Sequence, residues 1–169
     1  MISIRPIGGA DEESRGASMM AATDPWVTLG RGYEQCLAAI RNREREVCVA
    51  ADGDAIRGLI ILSMTGALVG YIQAICVDAQ WRSGGLGTRL LDWAEARIFR
   101  RSPNAFLCVS SFNGRARALY ERRGYEPVGE LRDYLVVGYS EILMRKTIGP
   151  IQDFTPDPDA LGLTLPKSI

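Results

Sequence analysis

Hydrophobic and polar positions follow two different periods along this chain, and the points where the period changes mark its elements. "ISIRPI" at 2–7 reads as a strand, and residues 10 to about 45 carry helical material. Within that region "TDPW" at 23–26 offers a cap residue and a proline suited to a helix start. "EVCVAADGDAIRGLIILSM" at 46–64 then holds two β-rich runs around Asp52-Gly53, a hairpin turn signal. A break at Thr65-Gly66 leads into "ALVGYIQAICV", a longer strand. From Leu86 the period lengthens: Leu86, Leu90, Trp93, Ala94 and Ile98 share one helical face, which predicts a helix to about Arg101. "AFLCVSS" at 105–111 is another buried-looking strand. "NGRARALYERRGY" at 113–125 is a short helix with a glycine stop at Gly124, and two last strands span about 125–131 and 138–147.

Helices thus interrupt a mostly β chain, an order that suits a mixed sheet with helices on its faces. Residues 1–148 read as one domain. Beyond them, 149–169 form a tail whose four prolines forbid long regular elements, leaving it either disordered or laid over a neighbouring surface. At 169 residues one domain plus a tail is what the length allows. No apolar run approaches the roughly 20 residues of a membrane span, and the opening lacks a signal-peptide core, so a soluble, cytoplasmic protein with no membrane partner is expected. Lysine plus arginine equals aspartate plus glutamate at 20 each, which lacks the cationic excess that a nucleic-acid partner calls for. Cys36, Cys48, Cys76 and Cys108 are widely spaced and the chain has no histidine, so neither a metal site nor a disulfide framework is expected.

The stretch "RSGGLGTR", 82–89, brings three glycines to a helix start. A helix N-terminus leaves backbone N–H groups unpaired and carries partial positive charge, so bare backbone there can wrap an anion such as a diphosphate. Arg82 and Arg89 are possible charge partners. A nucleoside-triphosphate loop would need a following lysine, and a dinucleotide fingerprint would follow the chain's early strand; neither fits. The plainer alternative is that Gly84, Gly85 and Gly87 only make a tight turn.

The order Arg82-Ser83-Gly84-Gly85-Leu86-Gly87, after the strand "YIQAICVD" and before "TRLLDWAE", resembles the acyl-CoA motif of the GNAT superfamily of N-acyltransferases. A second segment, "SSFNGRARALYERRGYEPVGE", is similar to that family's N-x-x-A-x-x-L-Y motif. The resemblance runs from residue 2 to about 147, is strongest between 71 and 129, and faintly leans toward the protein N-terminal acetyltransferase branch. It implies an α/β (α+β) single-domain GNAT-like fold, with a mixed, mostly antiparallel twisted sheet of six to seven strands. It implies acetyl transfer from acetyl-CoA directly to a primary amine, a peptide α-amine or a small-molecule amine, with no covalent enzyme intermediate. A non-catalytic acyl-CoA-binding module of the same fold is the alternative, and a homodimer is left open.

Carried over residue by residue, the resemblance implies a coenzyme site at Arg82, Ser83, Gly84, Gly85, Leu86, Gly87 and Thr88. It adds the backbone of Ile75, Cys76 and Val77, with Val77 as candidate donor to the thioester carbonyl. Tyr120 becomes the acid that protonates the departing thiolate; alone, it would read as a core aromatic. Asn113 is a helix N-cap by position and a coenzyme contact by resemblance. Arg115, Arg117, Arg122 and Arg123 are open candidates for the coenzyme's 3′-phosphate. The glutamate of many family members aligns with Gln73, which cannot take a proton, and that of the protein N-terminal acetyltransferase branch aligns near Cys108, a poor substitute. The general base is therefore unassigned, with Glu141, Asp133 and Tyr139 as weak candidates. Without a strong base an α-amine of pKa about 7.8 is easier to serve than one of about 10.4. Trp26, Tyr33, Gln73 and Tyr134 are candidates to line the acceptor site, against an ordinary core or surface role.

Overall fold

In the computed structural model, which describes residues 1–161, seven strands form one sheet in the order β1-β2-β3-β4-β5-β7-β6. They are β1 (Ile2–Pro6), β2 (Arg45–Asp52), β3 (Ala55–Ser63), β4 (Tyr71–Val77), β5 (Asn104–Ser110), β6 (Glu126–Arg132) and β7 (Ser140–Thr147). Four α-helices accompany them: α1 (Ala10–Ala21), α2 (Tyr33–Arg41), α3 (Leu86–Ile98) and α4 (Gly114–Arg122). Only β4 and β5 pair in parallel; every other neighbouring pair is antiparallel. The mixed, mostly antiparallel sheet expected from the sequence is the one observed.

The apolar runs of β2 and β3 are continuous rather than alternating because both faces of the sheet are covered. Val47, Val49, Leu59 and Ile61 point into a core shared with Ala17 and Met20 of α1 and with Leu37 and Ile40 of α2. Cys48, Ala50, Ile60 and Leu62 point the other way, into a core with Leu86, Leu90, Leu91, Ala94 and Ile98 of α3. No helix among the described residues is long and apolar enough to cross a membrane.

Two local readings needed correction. No helix starts at "TDPW": Asp24 Oδ1 does accept from Thr28 N–H at 3.1 Å and Oγ1 at 2.7 Å, but Gly30, at φ 65°, turns the chain away after one turn. The helical region is therefore two helices joined by turns. The strand expected over 67–77 begins only at Tyr71, because Gly70 sits at φ 89° with its backbone against β5. A Cβ there would stand 2.5 Å from Asn104 O and 2.6 Å from Ile98 Cγ2, so only glycine lets the chain enter the sheet at that point. Of the two alternatives for the tail, the described part lies over a neighbouring surface: Asp157 N–H donates to Arg100 O at 2.9 Å and its carboxylate accepts from Arg100 Nε at 2.8 Å. The remainder of the tail, 162–169, lies outside the described residues.

Candidate active site

The parallel pair β4–β5 is the place where the sheet opens. It is paired only at Tyr71↔Phe106 and Ile72↔Leu107, although β4 continues to Val77 and β5 to Ser110. The cause is a β-bulge in β4. Its register against β3 slips between Ile61↔Ala74 and Leu62↔Ile72, leaving Gln73 as the extra residue. Beyond Gln73 the two strands diverge and leave a wedge lined by unpaired backbone. Asp78 N–H donates to Arg57 O at 2.9 Å, so by the alternation of an antiparallel ladder the Cys76 amide faces β3. Ile75 and Val77 turn theirs to the gap. The Cys76 amide is therefore turned away from the gap.

Two cavities meet in this wedge. One, of about 400 Å³, is bounded by the glycine loop, β4 and α4, and includes Ile75, Val77, Ser83, Gly85 and Gly87. The other, of about 330 Å³, lies between β4, β5, β7 and the loop after α1. Asp24, Ile75, Asn113, Ala116 and Tyr120 line both. Of the sequence candidates, Ile75, Asn113 and Tyr120 thus meet at one junction.

The glycine loop carries α3. Ser83 and Gly85 adopt φ of 68° and 81°, a conformation that gathers successive N–H groups on one side. The first amides of α3, at Leu86, Gly87 and Thr88, have no intrahelical acceptor. Gly85 is explained by its backbone angle alone. Gly84 and Gly87 are not: a Cβ on either would come no closer than 3.7 Å or 3.8 Å to any protein atom outside its immediate chain neighbours. Their missing side chains leave space that the protein itself does not use.

The charged groups around the loop divide. Arg82 donates through Nε to Val77 O at 3.2 Å and through Nη2 to Thr23 Oγ1 at 3.2 Å, tying the loop to β4 and to the end of α1. Arg89 turns the other way and donates to Ile2 O, which removes it as a partner for an anion in the loop. Arg117 is paired with Glu121 and Arg123 with Asp92. Arg115, bonded to Ser83 Oγ at 2.9 Å, and Arg122 line the cavity.

Asn113 is the N-cap expected of it, its Oδ1 accepting from Ala116 N–H at 3.2 Å, and it begins α4 at the junction. Tyr120 lies one to two turns along the same helix, its ring edge-on to Tyr125 with centroids 5.9 Å apart. Burial pushes its phenol up to about 12.

The second cavity sorts the remaining candidates. Gln73, Trp26 and Tyr134 line it; Tyr33 does not, because α2 starts at that residue and aims its hydroxyl at Ser14 Oγ of α1, 3.2 Å away. Asp133 and Tyr139 also fall outside it. Asp133 is spent on its own turn, accepting from Gly138 N–H at 2.7 Å, and the Tyr139 ring packs edge-on against Phe112. Glu141 is inside, 4% exposed, with Oε1 accepting from Ser110 Oγ at 2.5 Å. Burial raises its carboxyl above the ordinary range, and the Ser110 hydrogen bond and the Arg31 charge partly offset the rise. Sequence reasoning missed Ser110, Tyr71 and Arg31 as cavity residues. No motif marks them; the bulge and the strand order bring them there. Among the described residues no group of three or more His, Cys, Asp or Glu side chains could hold a metal ion.

Comparison with known proteins bears on the same region. Residues 12–125 match the profile of the acetyltransferase (GNAT) family. None of the curated proteins matches the chain. Among solved structures, the ribosomal-protein-S18-alanine N-acetyltransferase from Escherichia coli is 18% identical, with a TM-score of 0.70 over 92% of this chain and 99% of that one. The aminoglycoside 6′-N-acetyltransferase from Enterococcus faecium is 21% identical, with a TM-score of 0.67 over 89% and 98%. An aminoglycoside 6′-N-acetyltransferase complexed with coenzyme A is 18% identical, with a TM-score of 0.70 over 87% and 97%. At these identities the structures share the fold.

Proposed function

The chain belongs to the acetyltransferase (GNAT) family, and from that premise we propose that it moves an acetyl group from acetyl-CoA directly to a primary amine, both substrates being bound together. The observation that carries this reading is the junction of the two cavities at Ile75, Asn113 and Tyr120. A donor in one and an acceptor in the other would meet there without a carrier residue. The bare loop fits a coenzyme. Amides from Ser83 to Thr88 would hold its diphosphate at the start of α3, in space kept free by Gly84 and Gly87. The gap-facing amides of Ile75 and Val77 would take the pantetheine arm, and Arg115 and Arg122, which line the same cavity, would meet its outer phosphate.

When bound, acetyl-CoA supplies an acyl carbon activated by a thiolate leaving group. The chain's part is orientation and proton handling. Tyr120, titrating at about 12, stays protonated throughout the neutral range and can donate. Donation to a thiolate whose conjugate thiol has an ordinary pKa of about 8.5 is uphill, and desolvation of that thiolate in the wedge would lessen the cost.

The test is to incubate the protein with acetyl-CoA and a mixed library of peptide α-amines, lysine side-chain amines and small-molecule amines, and to identify products by mass spectrometry. Acetylated amines with release of free thiol are expected. Calorimetric binding of coenzyme A without any product would reduce the protein to a coenzyme-binding module, and no binding at all would sink the reading altogether.

A further inference from the structure

Asp24 and Glu141 both line this cavity and neither has a cation at ion-pairing distance among the described residues, but Asp24 is exposed and bonded to Thr28, whereas Glu141 is buried. Its position follows from strand order: β7 lies beside β5, and the register sets Glu141 opposite Ser110, whose hydroxyl holds Oε1. Oε2 has no protein donor, yet it is not among the buried polar atoms sealed without a partner, so it opens onto the 330 Å³ cavity. The charged and titratable groups that share the cavity with it include Asp24 on the loop after α1, Arg31 on the loop before α2, Tyr71 on β4, Cys108 on β5 and Tyr134 on the β6–β7 loop; its partner on β6, Leu131, is apolar. Gln73 enters the same space from the bulge and cannot take a proton.

A carboxylate removed from water with one neutral hydroxyl as partner lacks a counter-ion. A primary ammonium entering the cavity would supply one. We propose that Glu141, held by Ser110, binds the acceptor as an ammonium ion and takes its first proton, making it the general base that Gln73 cannot be. The proposal rests on the acetyltransferase reading above and assigns its acceptor class: amines that are cationic at neutral pH.

The step balances. A proton passes from the ammonium nitrogen to Glu141 Oε2, freeing the nitrogen lone pair. That pair forms the N–C bond to the acyl carbon as the C–S bond breaks with its electrons on sulfur. Sulfur takes the Tyr120 proton, and the phenolate regains one from the acylated nitrogen. The proton on Glu141 leaves to solvent with the product. With the base inside the cavity, neutrality of the incoming amine does not have to come from a low pKa.

The test is Glu141→Gln, which keeps the side-chain volume and an oxygen for Ser110, assayed with the fastest acceptor from the product survey between pH 5.5 and 9.5. Wild type should lose kcat/KM on the acid side as Glu141 protonates. The variant should fall about 100-fold or more at pH 7. Its residual rate should climb about tenfold per pH unit with the free-amine fraction, and its coenzyme affinity by calorimetry should stay within twofold. Ser110→Ala should move the wild-type acid limb to higher pH, because the bond it removes favours the ionised carboxyl; a purely structural role for Glu141 would leave that limb in place. An active wild type whose Glu141→Gln variant keeps kcat/KM within threefold and the same pH profile overturns this proposal alone. A wild type that acetylates nothing overturns the transfer reading and this proposal with it.

Discussion

Tyr120→Phe removes one oxygen and changes little else. The ring keeps its edge-on contact with Tyr125, and the hydroxyl has no hydrogen-bond partner among the described residues, so no buried group is orphaned by its loss. Thermal stability should therefore stay within about 0.5 kcal/mol of wild type, the range for a substitution that leaves no buried group unpaired. The effect on rate should be of another order. A positioned general acid contributes about 10²- to 10⁴-fold, equivalent to about 3–5 kcal/mol of barrier at 1.36 kcal/mol per decade. The assay is thiol release at saturating acetyl-CoA and acceptor, so that kcat is read directly, with coenzyme affinity measured separately by calorimetry. Expected are a kcat lowered by at least 100-fold and an affinity changed by less than about threefold. The protonated phenol is the active form and persists below its pKa of about 12, so Tyr120 should impose no falling limb on kcat up to pH 10. A Phe variant that retains kcat within threefold would refute Tyr120 as the acid.

Gly87→Ala places a methyl where the protein leaves room, inside the first turn of α3. Melting temperature should hold or rise slightly, by up to about 1 kcal/mol of helix propensity, while coenzyme binding weakens at least tenfold by calorimetry. Gly85→Ala should instead cost about 1–2 kcal/mol of stability, because φ at that position is 81°. Gly70→Ala should be the most damaging glycine change, costing several kcal/mol in denaturant unfolding or abolishing soluble expression, because its Cβ would collide with the β5 backbone. Glu12, held by Arg5 with hydrogen bonds of 2.6 Å and 2.9 Å, titrates at about 2 rather than the usual 4.5. Its depressed pKa gives stability that is present above about pH 4.5 and lost as pH falls toward 2. Arg5→Met should therefore destabilise at pH 7, with the difference from wild type shrinking through that window in urea titrations.

The glycine loop, the Asn113 cap and the Tyr120 helix were legible because each is a contiguous arrangement. A left-handed φ calls for glycine, a cap is a side chain three residues from its amide, and an amphipathic helix repeats every three to four residues. The aromatics were harder. Trp26 and Tyr33 carry the same local signal, yet the turn around Gly30 sends one to the cavity and helix α2 sends the other to Ser14. The three base candidates were equal in the sequence for the same reason. Asp133, Tyr139 and Glu141 lie within nine residues of one another; the β6–β7 turn holds the first, Phe112 packs against the second, and the register of β7 against β5 sets the third opposite Ser110.

The amino-acid order alone determined most of the strands and helices, the glycine turn that opens α3 and the cap and length of α4, since these follow from backbone angles and spacings within a dozen residues. The tertiary structure decided where the sheet opens and what faces the opening. The bulge that leaves Gln73 unpaired depends on the pairing of β4 with β3, and the Ser110–Glu141 contact joins residues 31 apart through a strand order in which β7 precedes β6. Such contacts arise from long-range pairing of whole strands, each set by the burial of both sheet faces at once, and no short stretch of the chain contains that information.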